Sequence, residues 1–343
     1  MRDLKNKLTS GKNTKNIQNR KGKSFGYQVL GFGAGGSAAS FVAATGGTVI
    51  TAGDFKTHVF TGPGTFCVSC AGSAGGSETV DYFVVAGGGS TNIDRSSGGG
   101  AGGFRLANSY GLPSPTMSPL SNPSGLPVSA TGYPITVGAG APQSGSPYGI
   151  RGSNSIFAGS STITSTGGGG GGIVPWPQQP GGSAGGGRCG SNGGSGNTPP
   201  VSPPQGNNGG NAGGNYLSGT GGGGGAGAVG TPGPGPVGGP GGAGSFIAET
   251  FVGPPAPSYG TPGPVGSTRY FAGGGGGAKY PAGTGGSGGV GGGGAAYSGG
   301  NGVGTPGTTN TGGGAGGSGA NGGTAPAGAN GGSGIVMIRY KFQ

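Results

Sequence analysis

Alternation of apolar and polar positions is concentrated in two places along the chain. Between residues 48 and 86, four short runs are rich in β-branched and aromatic residues: TVIT, DFKTHVF, TFCVS and TVDYFVVA. The breaks AGD, TGPG and AGSAGGSE separate them. Short runs of this kind, bounded by glycine and proline, predict an antiparallel meander. TGPG, at 61–64, suits a tight hairpin. Phe55, Val59, Phe66, Val80 and Phe83 are the expected apolar positions of this small sheet. The second place is the end of the sequence, where GIVMIRYKF predicts an alternating strand over 335–342.

From 87 to 334 the pattern changes. Glycine tracts at 98–103, 167–172, 181–187, 221–227, 273–277, 285–294 and 312–334 alternate with segments rich in Pro, Ser, Thr and aromatics. Read in threes from Gly313, the last tract is GGA GGS GAN GGT APA GAN GGS. A period of three belongs to polyproline-II-type helices, not to α-helices or strands. Collagen needs one glycine per triplet, whereas two positions per triplet are usually glycine here and the phase is lost between tracts. A helix of this type has no internal hydrogen bonds, so buried copies must donate to their neighbours. The expected fold is mostly β and irregular: a small N-terminal antiparallel β-sheet, then a glycine-rich polyglycine-II helix bundle with projecting loops. The expected divisions are a basic extended arm at 1–25, a small-residue segment and sheet at 26–86, the bundle at 87–334 and a terminal strand at 335–343.

Composition explains why glycine dominates this reading. Gly 102 and Pro 28 together exceed a third of the 343 residues, and only 29% are hydrophobic. Ordering a residue costs roughly 1–2 kcal/mol of backbone entropy, which so thin an apolar core does not offset. The composition resembles low-complexity disorder. Strand patterns at both ends, with Tyr 11 and Phe 13, argue instead for order through backbone hydrogen bonding or assembly.

The net charge of +11 is uneven. Arg2, Lys5, Lys7, Lys12, Lys15, Arg20, Lys21 and Lys23 face Asp3 alone within the first 25 residues. Such an arm binds nucleic acid, an anionic membrane or an acidic protein surface, and docking on protein is preferred here. The start has no apolar core of a secretory signal, and no apolar run reaches the ~20 residues of a membrane span.

Candidate chemistry is sparse. His58 lies inside a predicted strand, where a structural role is expected. Asp54 and Asp81 sit at strand entries and suit turn capping, and no pair of carboxylates forms an acid–base motif. Cys67 and Cys70 form a CxxC on a strand, where alternation sends them to opposite faces. A Cys3His zinc site with Cys189 and His58 can be counted, but buried thiols are the expected state. No enzyme, cofactor or metal is expected. The only tryptophan is held in IVPWPQQP, a segment stiffened by three prolines. Stiff aromatic loops cost little to order on binding. Trp176, Tyr216, Tyr259, Tyr270, Phe271, Tyr280 and Tyr297, in or beside such segments, are the candidate receptor-contacting residues, the alternative being that they cover ends and seams.

The sequence resembles the glycine-rich virion structural proteins of tailed bacteriophages, marine cyanophages in particular. LKNKLTSGKNTKNIQNRKGKSFGYQVLGFG, HVFTGPGTFCVSCAG, VDYFVVAGGG, GGGAGGF, YPITVGAGAP, SNSIFAGSSTITSTGGGGGG and GGSGIVMIRYKF carry the resemblance. It implies a tail-fibre or adhesin component that presents loops for host-surface recognition, with a capsid decoration or head-fibre role as the alternative. The organisation is also similar to tail-tip adhesins whose glycine-rich motifs alternate with variable loops, though no helical attachment domain is evident. The implied partners are other virion proteins, met through Lys5, Lys7, Lys12, Lys15, Arg20, Lys21 and Lys23, and a host glycan or outer-membrane protein. The implied location is the virion, assembled in the host cytoplasm, and symmetric assembly such as a trimer would bury further surface.

Overall fold

A computed structural model describes residues 39–343 except 146–147, 173–177, 215–216, 280, 282 and 321–326. The first strands are β1 (Val42–Thr45), β2 (Thr48–Ala52), β3 (Phe55–Phe60), β4 (Gly64–Ala71) and β5 (Thr79–Val85). They do not form one meander. β2 and β3 pair as a hairpin in which Ala52 faces Phe55. The two-residue turn places Gly53 at φ 55°, the positive value that a tight hairpin requires at its first position. β3 and β4 are not partners: β4 pairs with β1, so TGPG carries the chain from one sheet to another instead of closing a hairpin. A shift of register between Ala43 and Ala44 interrupts alternation along β4, and Cys67 and Cys70 are both exposed and free.

Further strands lie inside the glycine-rich part: β6 (Phe104–Ala107), β7 (Ser121–Asn122), β8 (Leu126–Pro127), β9 (Gly132–Thr136), β10 (Ser155–Ala158) and β11 (Thr162–Ser165). β12 (Ser245–Ala248) leads into α1 (Glu249–Val252), and β13 (Thr261–Pro262), β14 (Thr268–Phe271) and β15 (Ile335–Lys341) complete the set. A five-stranded sheet runs β1-β4-β9-β10-β11, and a three-stranded sheet runs β12-β14-β13. The seven-stranded sheet runs β2-β3-β15-β5-β6-β7, with β8 on β5.

β15 is therefore a central strand, antiparallel to β3 and β5. Its alternation serves two cores. Val336, Ile338 and Tyr340 join Val80, Tyr82 and Val84 against Phe66, Tyr133 and Phe157 of the five-stranded sheet. Ile335 and Met337 join Val59, Phe83 and Val85 on the other face, against Ile247, Phe251 and Phe271. The result is three packed layers, each burying apolar side chains that the next one covers.

The expected fold of a small N-terminal sheet followed by a polyglycine-II helix bundle is thus corrected. The chain is nearly all β, its strands run from 42 to 341, and the only α-helix among the described residues is the four-residue α1. The physical reason is non-local pairing. The terminal strand β15 pairs with β3 and β5, and β4 pairs with β9, while four-residue runs such as SIFA, TITS and TRYF, too short to stand out from their glycine-rich surroundings, pair with neighbouring strands inside the glycine-rich part.

The tracts between strands are neither strand nor helix, and most of their residues are buried. Their amides find carbonyls on other segments. Along 98–103, Gly98 and Ala101 donate to Gly221 and Gly224, Gly99 and Gly102 to Ala315 and Gly312, and Gly100 and Gly103 to Gly169 and Thr166, all at 2.8–3.1 Å. The same rotation recurs at 273–278: towards Gly291 and Gly294, then Gly242 and Gly239, then Gly99 and Ser96. The three-residue repeat of the sequence thus reflects a turn of hydrogen-bonding direction from residue to residue. Buried peptide groups are satisfied without apolar side chains. Segments approach so closely that an alanine Cβ at Gly275 would overlap the Ala315 carbonyl.

Candidate functional site

Two features hold chemistry that the glycine layer lacks. The first is a cavity of about 700 Å³ between the β2–β3 turn, α1 and the segment after it. The Gly53 turn places Asp54 and Phe55 on one wall, and α1 places Glu249 and Thr250 on another. Gly253, at φ 100°, ends the helix, and Pro254 and Pro257 add apolar surface.

Arg339 of β15 also lines this cavity. It occupies the position on the Ile335–Met337 face where another apolar residue would continue the core, and it lies opposite Asp81 across the β5–β15 ladder. Arg339 is 3% exposed and Asp81 is fully buried. Their closest approach is 3.9 Å, from Nη1 to Oδ2. Asp81 Oδ1 accepts hydrogen bonds from the Ser109 amide (2.7 Å) and hydroxyl (2.6 Å). The Phe55 ring lies over the guanidinium at 3.6 Å, with Phe251 and Tyr110 farther out. Nε and Nη1 of Arg339 and Oδ2 of Asp81 have no hydrogen-bond partner. Burial pushes the Asp81 carboxyl above the ordinary carboxylate range, against the opposing pull of Ser109 and Arg339. Burial likewise lowers the affinity of Arg339 for its proton, and Asp81 counters it.

The second feature is the end of the glycine layer remote from the strands. Tracts leave the strands, reach a level where Ser96 accepts from Ala278 and Ala278 from Thr220, and turn back. Beyond that level Arg188 donates to Asp94 at 3.3 Å, Lys279 donates to the Leu217 carbonyl, and Asp94 and Arg95 hold positive φ. Tyr148, Leu217, Val237 and Tyr297 are exposed large apolar side chains of this end.

The sequence-derived contact residues fall into three groups. Trp176, Tyr216 and Tyr280 lie outside the described residues, as do Lys5, Lys7, Lys12, Lys15, Arg20, Lys21 and Lys23 of the arm. Tyr270 and Phe271 are internal: Phe271 is fully buried with its ring 4.8 Å from Phe83, and Tyr270 is 5% exposed against Phe246. Tyr259 is half-buried against the same core, while its carbonyl accepts from Arg269. Tyr297, 36% exposed, is the described member of the set that stands at the surface.

His58 is enclosed. Nδ1 lies 2.6 Å from the Gly46 carbonyl and Nε2 lies 3.0 Å from the Tyr340 hydroxyl. A carbonyl only accepts, so Nδ1 carries the proton and Nε2 accepts from Tyr340. Burial lowers its pKa below the ordinary imidazole value. Among the described residues no group of three His, Cys, Asp or Glu side chains converges. Sequence reading missed the cavity because Asp54, Glu249 and Arg339 are almost 300 positions apart at the extremes. The one available signal is Arg339 itself, a charge inside an apolar strand run.

A family model described as a glycine-rich domain matches residues 61–341. No curated protein and no solved structure matches the chain.

Proposed function

We propose that this chain, which belongs to the glycine-rich domain family, is a non-enzymatic structural protein of a bacteriophage virion. In this reading it is a tail-fibre or adhesin component that presents loops to the host surface. The observation that carries the reading is the end of the glycine layer. A rigid, side-chain-poor scaffold of crosslinked backbone terminates in turns where charges and exposed apolar groups gather, among them Leu217 and Tyr297. Recognition surfaces favour this combination, because loops held by a rigid scaffold lose little entropy on binding. The basic arm would dock on acidic surfaces of other virion proteins.

The test is gold labelling of intact tailed-phage particles with an antibody raised to this chain, viewed by electron microscopy. Label confined to the tail or its fibres supports the adhesin reading. Label spread over the head replaces it with a decoration or head-fibre role. Particles without label overturn the virion reading.

A further inference from the structure

We infer that the cavity between the β2–β3 turn and α1 is a binding site for a neutral saccharide of one or two pyranose rings. Three observations lead there. The first is size and shape: about 700 Å³, walled by turns that the sheets on either side hold in place. The second is Arg339, a cation 97% shielded from solvent that lines the cavity, with Nε and Nη1 enclosed and Nη2 the nitrogen left to face it. A ligand oxygen in the cavity would accept from Nη2 and add a charge-assisted hydrogen bond to this cation, while Nε and Nη1 stay enclosed behind it.

The third observation is the balance of charge. Asp54, exposed, and Glu249, half-buried, line the cavity, and both are acceptors when ionised. Two carboxylates repel an anion, and the guanidinium at the floor repels a cation. A neutral polyol meets all three groups, because each hydroxyl both donates and accepts: it donates to Asp54 and Glu249 and accepts from Arg339. Phe55 and the prolines supply apolar surface for the C–H face of a pyranose ring. For its biological use the inference rests on the adhesive reading above, and it adds a site in the fold and the restriction to a neutral saccharide.

The experiment is isothermal titration calorimetry of the full chain with maltose, lactose, mannobiose and chitobiose, with glucuronate and choline as charged controls. At least one neutral disaccharide is expected to give saturable binding. Asp54→Asn and Glu249→Gln, both conservative and near the surface, should weaken it at least tenfold without moving the melting temperature. Glucuronate and choline should not saturate. Absence of binding by all four disaccharides, binding unchanged in both variants, or saturable binding of a charged control overturns the inference. Its failure is separable from that of the virion reading. Tail labelling without sugar binding removes the site alone, and sugar binding with unlabelled particles removes the virion role alone.

Discussion

Replacing Gly275 with alanine probes the packing of the glycine layer at one atom. The Gly275 amide donates to Gly99 at 2.9 Å, and its carbonyl accepts from Gly223 at 2.8 Å. The Ala315 carbonyl, which the new Cβ would overlap, itself accepts from Gly99 at 2.9 Å. Three segments therefore meet at this residue, and none can retreat without lengthening a bond to another. Two buried hydrogen bonds left unmade cost about 1–3 kcal/mol each, which puts Gly275→Ala at about 2–6 kcal/mol of lost stability. Gly214→Ala is the matched control, because nothing lies within 4 Å of its Cβ position. Surface changes of that kind stay within about 0.5 kcal/mol, apart from a small gain from a stiffer unfolded chain. Urea denaturation of the three proteins, followed by circular dichroism, reads the difference as a shift in midpoint at constant slope. Equal midpoints for Gly275→Ala and the unaltered chain would refute the close-contact argument.

Other perturbations separate the roles of individual side chains. Asp81→Ala leaves the buried charge of Arg339 without its counterion and should cost about 3–5 kcal/mol, whereas Asp81→Leu combined with Arg339→Met should cost less than Asp81→Ala alone, as chemical denaturation would reveal. His58 is held neutral with its pKa below 6.5, so its contribution to stability is complete above that pH and is lost as pH falls towards the folded-state value. The melting temperature should therefore drop between pH 7 and pH 5, and the difference from His58→Gln isolates the imidazole from Asp81, whose raised pKa acts in the opposite direction. Phe271→Ala should lose about 3–5 kcal/mol in the same denaturation assay, because its ring is enclosed beside Phe83. A binding defect in that variant would then follow from unfolding.

What could be read from the sequence was local. The β-branched runs from 48 to 86 and the terminal run are strands, and Val59, Phe66, Val80 and Phe83 are buried. Partner choice was not legible. Nothing in TGPG distinguishes a hairpin from a crossing between sheets, and nothing in GIVMIRYKF states that it inserts between β3 and β5. TITS becomes a strand by closing a hairpin on SIFA, and TRYF by pairing with SFIA of β12, and runs this short do not announce either pairing. The aromatic candidates were chosen for their position between tracts, a criterion blind to burial, so it gathered Phe271 and Tyr297 alike. The cavity escaped because its walls come from a turn, a short helix and a terminal strand that only the folded chain juxtaposes.

The central claim is that buried glycine segments form an ordered layer held by backbone hydrogen bonds in three directions. Native-state hydrogen exchange, resolved by residue, tests it most directly. Amides at 98–103 and 273–278 should exchange about as slowly as those of β15, since each donates to a buried carbonyl. Exchange of the tract amides at unstructured-chain rates, while β15 stays protected, would contradict it.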